Sequence, residues 1–197
     1  MEYLAYIVVV LVFVAGIILY RSWHSVRSLH ARSVAELRQL QELLAERHLI
    51  LSHLLDSLPA SFDSQFNRTE LSQRLGESES FLSLIDPDNP IANDIRRNSR
   101  VEQSLYGLVR MLTETIAASE SVRESQTVVG CLKGLDASTL RMTEATSSYN
   151  TSVITLTSYL ASPHQRMIAR WTGKEGDFCV FDWGSDSSEA AFAESNR

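Results

Sequence analysis

From Leu4 to Tyr20 the chain reads LAYIVVVLVFVAGIILY, and beyond it the hydrophobic positions thin into spacings that alternate between three and four. The first pattern, apolar on every helical face, predicts a membrane span, and the second predicts amphipathic helices that each bury one stripe. The span covers about 25 Å at 1.5 Å per residue, slightly under a hydrocarbon core of about 30 Å. Tyr3, Tyr6, Tyr20 and Trp23 bracket it in the manner of interfacial aromatics. No basic stretch precedes the run and no small-residue cleavage site ends it, so residues 1–22 are expected to form a retained signal anchor. Arg21, Arg27 and Arg32 follow the span and no basic residue precedes it, which predicts an N-terminus outside and a cytoplasmic body.

The expected fold class is all-α: the transmembrane helix followed by an antiparallel up-down bundle of about four helices over residues 23–171. The first bundle helix, Leu29 to Leu58, lacks Gly and Pro and carries a seam of His30, Leu37, Leu44, Leu51 and Leu58 interleaved with Ser33, Leu40, Arg47 and Leu54. It is expected to continue the membrane helix. A second runs from about Asn67 to Ile85 with Leu71, Leu75, Leu82 and Ile85 on one stripe, and Asp86-Pro87-Asp88-Asn89-Pro90 ends it in a turn. The third, about Ile91 to Glu120, places Val101, Leu105, Leu108, Leu112 and Ile116 in phase. The last, about Ser125 to Arg170, has Val128, Leu135, Met142, Tyr149 and Leu156 at sevens, with Leu132, Thr146, Val153 and Leu160 between them. Gly130 and Gly134 each cost this helix about 1 kcal/mol relative to Ala, or permit a close helix crossing.

Charge changes the picture mainly at the C-terminus. The chain carries 18 Lys+Arg against 24 Asp+Glu, a formal net charge of −6, which gives no electrostatic footprint for nucleic acid. Most of the imbalance falls in residues 172–197, an acidic tail expected to be disordered. Its one apolar island, Phe178-Cys179-Val180-Phe181-Asp182-Trp183, either docks as a short peptide on the bundle or a partner, or is loosely collapsed. The 2 cysteines, Cys131 and Cys179, have neither zinc-site spacing nor disulfide-scaffold density and read as free thiols.

Two stretches resemble the LemA family, small bacterial proteins with an N-terminal membrane helix and an α-helical body. Leu44-Ala45-Glu46-Arg47-His48-Leu49-Ile50-Leu51-Ser52-His53-Leu54-Leu55 is similar to the family's L-x-x-R-x-D-L-I-P-N-L-V run, and Ala145-Thr146-Ser147-Ser148-Tyr149-Asn150-Thr151-Ser152-Val153 to its A-R-x-x-Y-N-x-x-V. Leu49, Ser52 and His53 stand where the family has Asp, Pro and Asn, and Thr146 replaces an Arg. The family's second Tyr-Asn pair falls on Leu156-Thr157, and Pro163 lies one position before the Pro of its F-P step. The chain thus resembles a divergent member. The resemblance implies a helical architecture at the bacterial inner membrane and supplies no catalytic residues.

Arg47 occupies a seam position that otherwise holds leucine, where a charge is costly unless paired. Counted from Trp23 and back from Trp171, Arg47 and Tyr149 each lie about 33–36 Å along their helices, so they are expected to share a level. Arg47 is expected to meet Tyr149 or Asn150, with Glu144 or another acid, in a candidate polar layer that fixes helix register or holds a ligand. At the end of the last helix Arg166, Arg170, Trp171 and Lys174, with His164 beside them, are candidate membrane-surface contacts. His48 and His53 do not share a helix face, and no H-E-x-x-H, G-x-S-x-G, phosphate loop or dinucleotide fingerprint occurs. No catalytic residue, metal site or cofactor is therefore assigned. The expected function is a membrane-anchored protein-interaction or scaffold module, whose partners are the lipid bilayer and a protein of unknown identity; homo-oligomerisation stays open. The alternative is a regulatory protein that senses a small ligand through the polar layer, and an unrecognised hydrolase is a third reading.

Overall fold

The computed structural model describes residues 2–59, 62, 66–173 and 177–183, and every regular element among them is a helix. No proline precedes Pro59, and nothing interrupts the first helix, α1 (Glu2–Ser57), which runs 56 residues or about 84 Å. Among the described residues it is the one helix long and apolar enough to cross a membrane. None of its described side chains up to Arg21 is buried, and burial begins at Ser22 and Val26. From there the whole expected seam is buried, from His30 and Ser33 through Leu37, Leu40, Leu44, Arg47, Leu51 and Leu54 to Leu58. A single helix thus carries the exposed apolar segment directly into the core of the bundle.

The remaining helices are α2 (Arg68–Leu84), α3 (Ala92–Ala118), the single turn α4 (Glu120–Arg123), α5 (Gln126–Leu160) and α6 (Pro163–Trp171). Asn67 caps α2 by accepting from the Glu70 amide at 3.2 Å, while its own side-chain amide donates to the Glu70 carboxylate at 3.3 Å. The turn between α2 and α3 is an Asx turn, in which the Asp88 amide donates to Asp86 Oδ1 at 3.0 Å, and Arg38 of α1 holds Asp88 at 3.0 Å. The antiparallel register of α1 and α5 is marked by Arg141 on Glu46 at 2.7 Å and by Gly134 facing Ile50. A Cβ at Gly134 would meet Ile50 at 3.5 Å, ordinary contact distance, and one at Gly130 would meet nothing, so neither glycine is required for this crossing.

Two apolar cores are stacked along the bundle. The far core holds Leu51, Leu54, Leu71, Leu75, Leu105, Leu112, Ile116, Val128 and Leu135. The near core, towards the apolar end of α1, holds Leu37, Leu40, Leu44, Ile95, Met142, Tyr149, Val153 and Leu156, joined by Phe178, Phe181 and Trp183.

Three expectations are corrected. The last helix is not continuous: Ser162, held extended (φ −75°, ψ 131°) by the ring of Pro163, separates α5 from α6. On α3 the buried position is Val109, with Leu108 only partly buried against the far core. Residues 177–183 of the tail are ordered rather than disordered, and of the two readings of the apolar island the docked one is observed, because three aromatics buried together outweigh the local acidity of Asp177 and Asp182. Residues 184–197 of that tail lie outside the described residues.

Candidate functional site

Between the two cores, three helices interrupt their apolar seams with polar residues that meet one another. Arg47 and His48 come from α1, Ser78 from α2, and Asn98 and Glu102 from α3, all buried. Glu102 is the hub. His48 Nε2 lies 2.7 Å from Glu102 Oε1, the Ser78 hydroxyl donates to the same oxygen, and Arg47 Nη1 stands 3.7 Å from Oε2. An ionised carboxylate accepts only, so the short contact requires the His48 proton on Nε2. Ser78 Oγ is also 3.3 Å from Asn98 Oδ1. Burial lowers the Arg47 guanidinium from its ordinary value, opposed by the charge of Glu102 and by Tyr106, and Arg47 remains a cation at neutral pH.

Satisfaction is incomplete. Arg47 Nε and Nη1, Glu102 Oε2, His48 Nδ1 and Asn98 Nδ2 make no hydrogen bond to a described group. Each such buried atom costs about 1–3 kcal/mol, so the layer is expensive for the fold. Ser78, His48 and Glu102 also fail the geometry of a nucleophile relay. The hydroxyl, 3.4 Å away, and the carboxylate both meet Nε2, whereas a relay uses the two ring nitrogens separately. Among the described residues no group of three His, Cys, Asp or Glu is arranged to hold a metal.

The extended segment Asp177–Trp183, here called the strap, lies against α3 and α5 and is recognised chiefly through its main chain. Asn150 pairs with both polar groups of Phe181, donating to the carbonyl at 2.9 Å and accepting from the amide at 2.7 Å. Ser99 does the same for Asp182 at 2.9 and 2.8 Å, and the Tyr149 hydroxyl donates to the Cys179 carbonyl at 2.9 Å. The Cys179 thiol donates to the Ala92 carbonyl at 3.3 Å. Burial pushes both the Tyr149 phenol and the Cys179 thiol up from their ordinary values, so neither is activated as a nucleophile. Phe178 meets His30 edge-on at 5.4 Å between centroids, and Trp183 meets Tyr106 at 5.5 Å. The Arg47 guanidinium lies 4.7 Å from the centre of the Trp183 ring, so a cation–π contact joins strap to polar layer.

Of the residues proposed from the sequence, Arg47 is the buried charge of the layer, but its acid is Glu102 rather than Glu144. Tyr149 and Asn150 do not share its level. The α1–α5 register sets Arg47 opposite about residue 140, so Tyr149 is displaced towards the near core by about 13 Å. The equal-length count fails because the same register sets Trp23 opposite about residue 164 rather than Trp171. The displacement matches the four strap residues from Cys179, held by Tyr149, to Trp183, under Arg47, at about 3.3 Å each. The strap therefore connects the predicted residues that do not touch one another. Glu144 is exposed and borders a shallow groove of about 500 Å³ with Arg32, Thr143, Ser147, Ser148 and Thr151. Arg166, Arg170 and Trp171 are exposed on α6, and Lys174 lies outside the described residues.

Glu102, Ser78, Asn98 and Ser99 were not singled out from the sequence. The available signal was the polar interruption of each stripe: Ser78 between Leu75 and Leu82, and Glu102 between Ile95 and Leu105 once Val109 rather than Leu108 sets the phase. An open groove of about 560 Å³ between α1 and α2, lined by Gln41, Glu42, Ala45, Glu79, Leu82, Ser83 and Ile85, reaches His48. No family model, curated protein or solved structure matches the chain.

Proposed function

We propose that this chain is a single-pass protein of the bacterial inner membrane, a divergent LemA-like protein whose bundle faces the cytoplasm as a non-catalytic protein-interaction or scaffold module. The observation that carries this reading is the continuity of α1, whose exposed apolar end and buried seam belong to one uninterrupted helix. Such a helix holds the bundle at a set height and tilt above a bilayer, which suits presentation of a surface better than a flexible tether does. The Arg residues that follow the span support the cytoplasmic orientation. Burial of the polar layer supports a structural role for it, since Arg47 and Glu102 are within 1 % of complete burial and have no access to a solute.

Site-specific photo-crosslinking in intact cells tests the proposal, with the reactive group at the exposed apolar positions Leu49, Met111, Leu140 and Ile154 in turn. A strong adduct to one protein from some positions and none from others is expected. Uniform weak labelling at all four would contradict it. The second reading, a ligand sensor, draws on the groove that reaches His48. It predicts instead a small-molecule-dependent rise in melting temperature that Ser83→Trp, placed in the groove wall, abolishes.

A further inference from the structure

We infer that α6 is a membrane-surface helix that rests on the anionic phospholipid headgroups of the leaflet holding the end of α1; this rests on the reading of α1 as a membrane anchor. The helix packs on α1 and α5 through Ile168 and Ala169, its two buried side chains, and the first buried positions of α1 after its apolar segment are Ser22 and Val26. That places α6 at the end of the bundle next to the predicted bilayer. Its outward residues are unlike those of an ordinary solvated helix end. Trp171 is 79 % exposed and Met167, one turn earlier on the same face, is 44 % exposed. Arg166 and Arg170, also one turn apart, stand beside them, and His164 is exposed as well.

The neighbouring turns of α1 repeat this chemistry. Tyr20 is exposed, the Trp23 ring lies tilted beside it at 6.0 Å between centroids, and the Arg27 guanidinium lies 5.6 Å from the Trp23 ring centre. The stretches Tyr20–Arg32 and Ala161–Lys174 together hold Arg21, Arg27, Arg32, Arg166, Arg170 and Lys174 and none of the chain's 24 Asp+Glu. Along these two stretches a chain of net charge −6 carries cations without acids, although Arg32 pairs with Glu36 of the next turn at 3.8 Å. An indole and a thioether flanked by cations fit the headgroup level of an anionic leaflet, where rings seat at the interface and positive charge is attracted to phosphate. Each well-placed cation there strengthens the attraction roughly fivefold.

Full-length protein is reconstituted into vesicles of phosphatidylcholine, alone or mixed with phosphatidylglycerol, whose acyl chains are brominated to quench tryptophan on contact. Two variants separate the probes: Trp171→Phe retains Trp23, Trp23→Phe retains Trp171, and the buried Trp183 gives the same background in both. Trp23 is expected to be quenched in both lipids, and Trp171 in the phosphatidylglycerol vesicles well above phosphatidylcholine alone. Adding Arg166→Gln with Arg170→Gln to the Trp23→Phe chain is expected to lower the docked-to-undocked ratio roughly 25-fold. Quenched Trp23 with unquenched Trp171 would overturn the inference while leaving the anchor intact. So would Trp171 quenching that ignores both lipid charge and the glutamine pair. Unquenched Trp23 would overturn the anchor reading itself.

Discussion

Arg47→Met removes the cation from a layer that keeps its acid. At 3.7 Å the Arg47–Glu102 attraction is about 4 kcal/mol at an effective dielectric of about 20, and the contact with the Trp183 ring adds about 1 kcal/mol. Set against this is the desolvation of two ions that are almost wholly buried, which is why the intact pair contributes little net stability. Removing one partner leaves the other charge uncompensated, and each single substitution, Arg47→Met or Glu102→Leu, is expected to destabilise by about 3–5 kcal/mol. The double substitution replaces the pair with apolar groups of similar reach. It is expected to cost at least 2 kcal/mol less than the sum of the singles. The assay is urea unfolding of the full chain in detergent, followed by circular dichroism for wild type, the two singles and the double. Additivity within about 0.5 kcal/mol would refute the claim that Arg47 and Glu102 act as one unit.

Strap docking is tested by neighbouring positions of opposite exposure: Phe181→Ala, at 2 % exposed, is expected to cost about 3 kcal/mol, and Val180→Ala, at 44 %, under about 0.5 kcal/mol. A red shift of Trp183 emission that precedes loss of helix would show the strap leaving first, and equal costs for the two substitutions would contradict its packing. Because burial raises the Tyr149 phenol, the unfolded chain loses that proton first as pH rises through about 10, so stability is complete below this range and falls above it. Tyr149→Phe is expected to flatten that alkaline decline in pH-dependent melting curves; an unchanged slope would contradict the assignment. Gly130→Ala adds a methyl where nothing lies within 4 Å and is expected to stabilise by about 1 kcal/mol in the same urea assay, with destabilisation as the contrary result.

The helices and their buried faces were largely legible because burial alone dictates a three-and-four spacing. Each of the nine seam positions from His30 on α1 to Leu58 just past its end is buried, as are Val128, Leu135, Met142, Tyr149 and Leu156 of α5. The polar layer was half legible. Arg47 stands out in a leucine seam, but Glu102 is concealed by ambiguity between Val109 and Leu108, which shifts the stripe by one residue and turns a seam acid into a surface one. Pro163 opens α6, a first-turn position that proline tolerates, but the apolar spacing continues across it and carried the reading through the break. The strap was legible as an apolar island but not in its position, since its placement depends on Asn150, Ser99 and Tyr149, which recognise main chain and leave no pattern in the segment they hold.

The central claim is that one helix crosses the membrane and carries the bundle on its cytoplasmic side. Single cysteines at Glu2 and at the exposed Glu144, in a Cys131→Ser, Cys179→Ser background, are to be probed with a membrane-impermeant thiol reagent on intact cells and again after lysis. Labelling of position 2 in intact cells, with position 144 reached only after lysis, is the predicted result. Labelling of position 144 in intact cells would place the bundle outside and contradict the account.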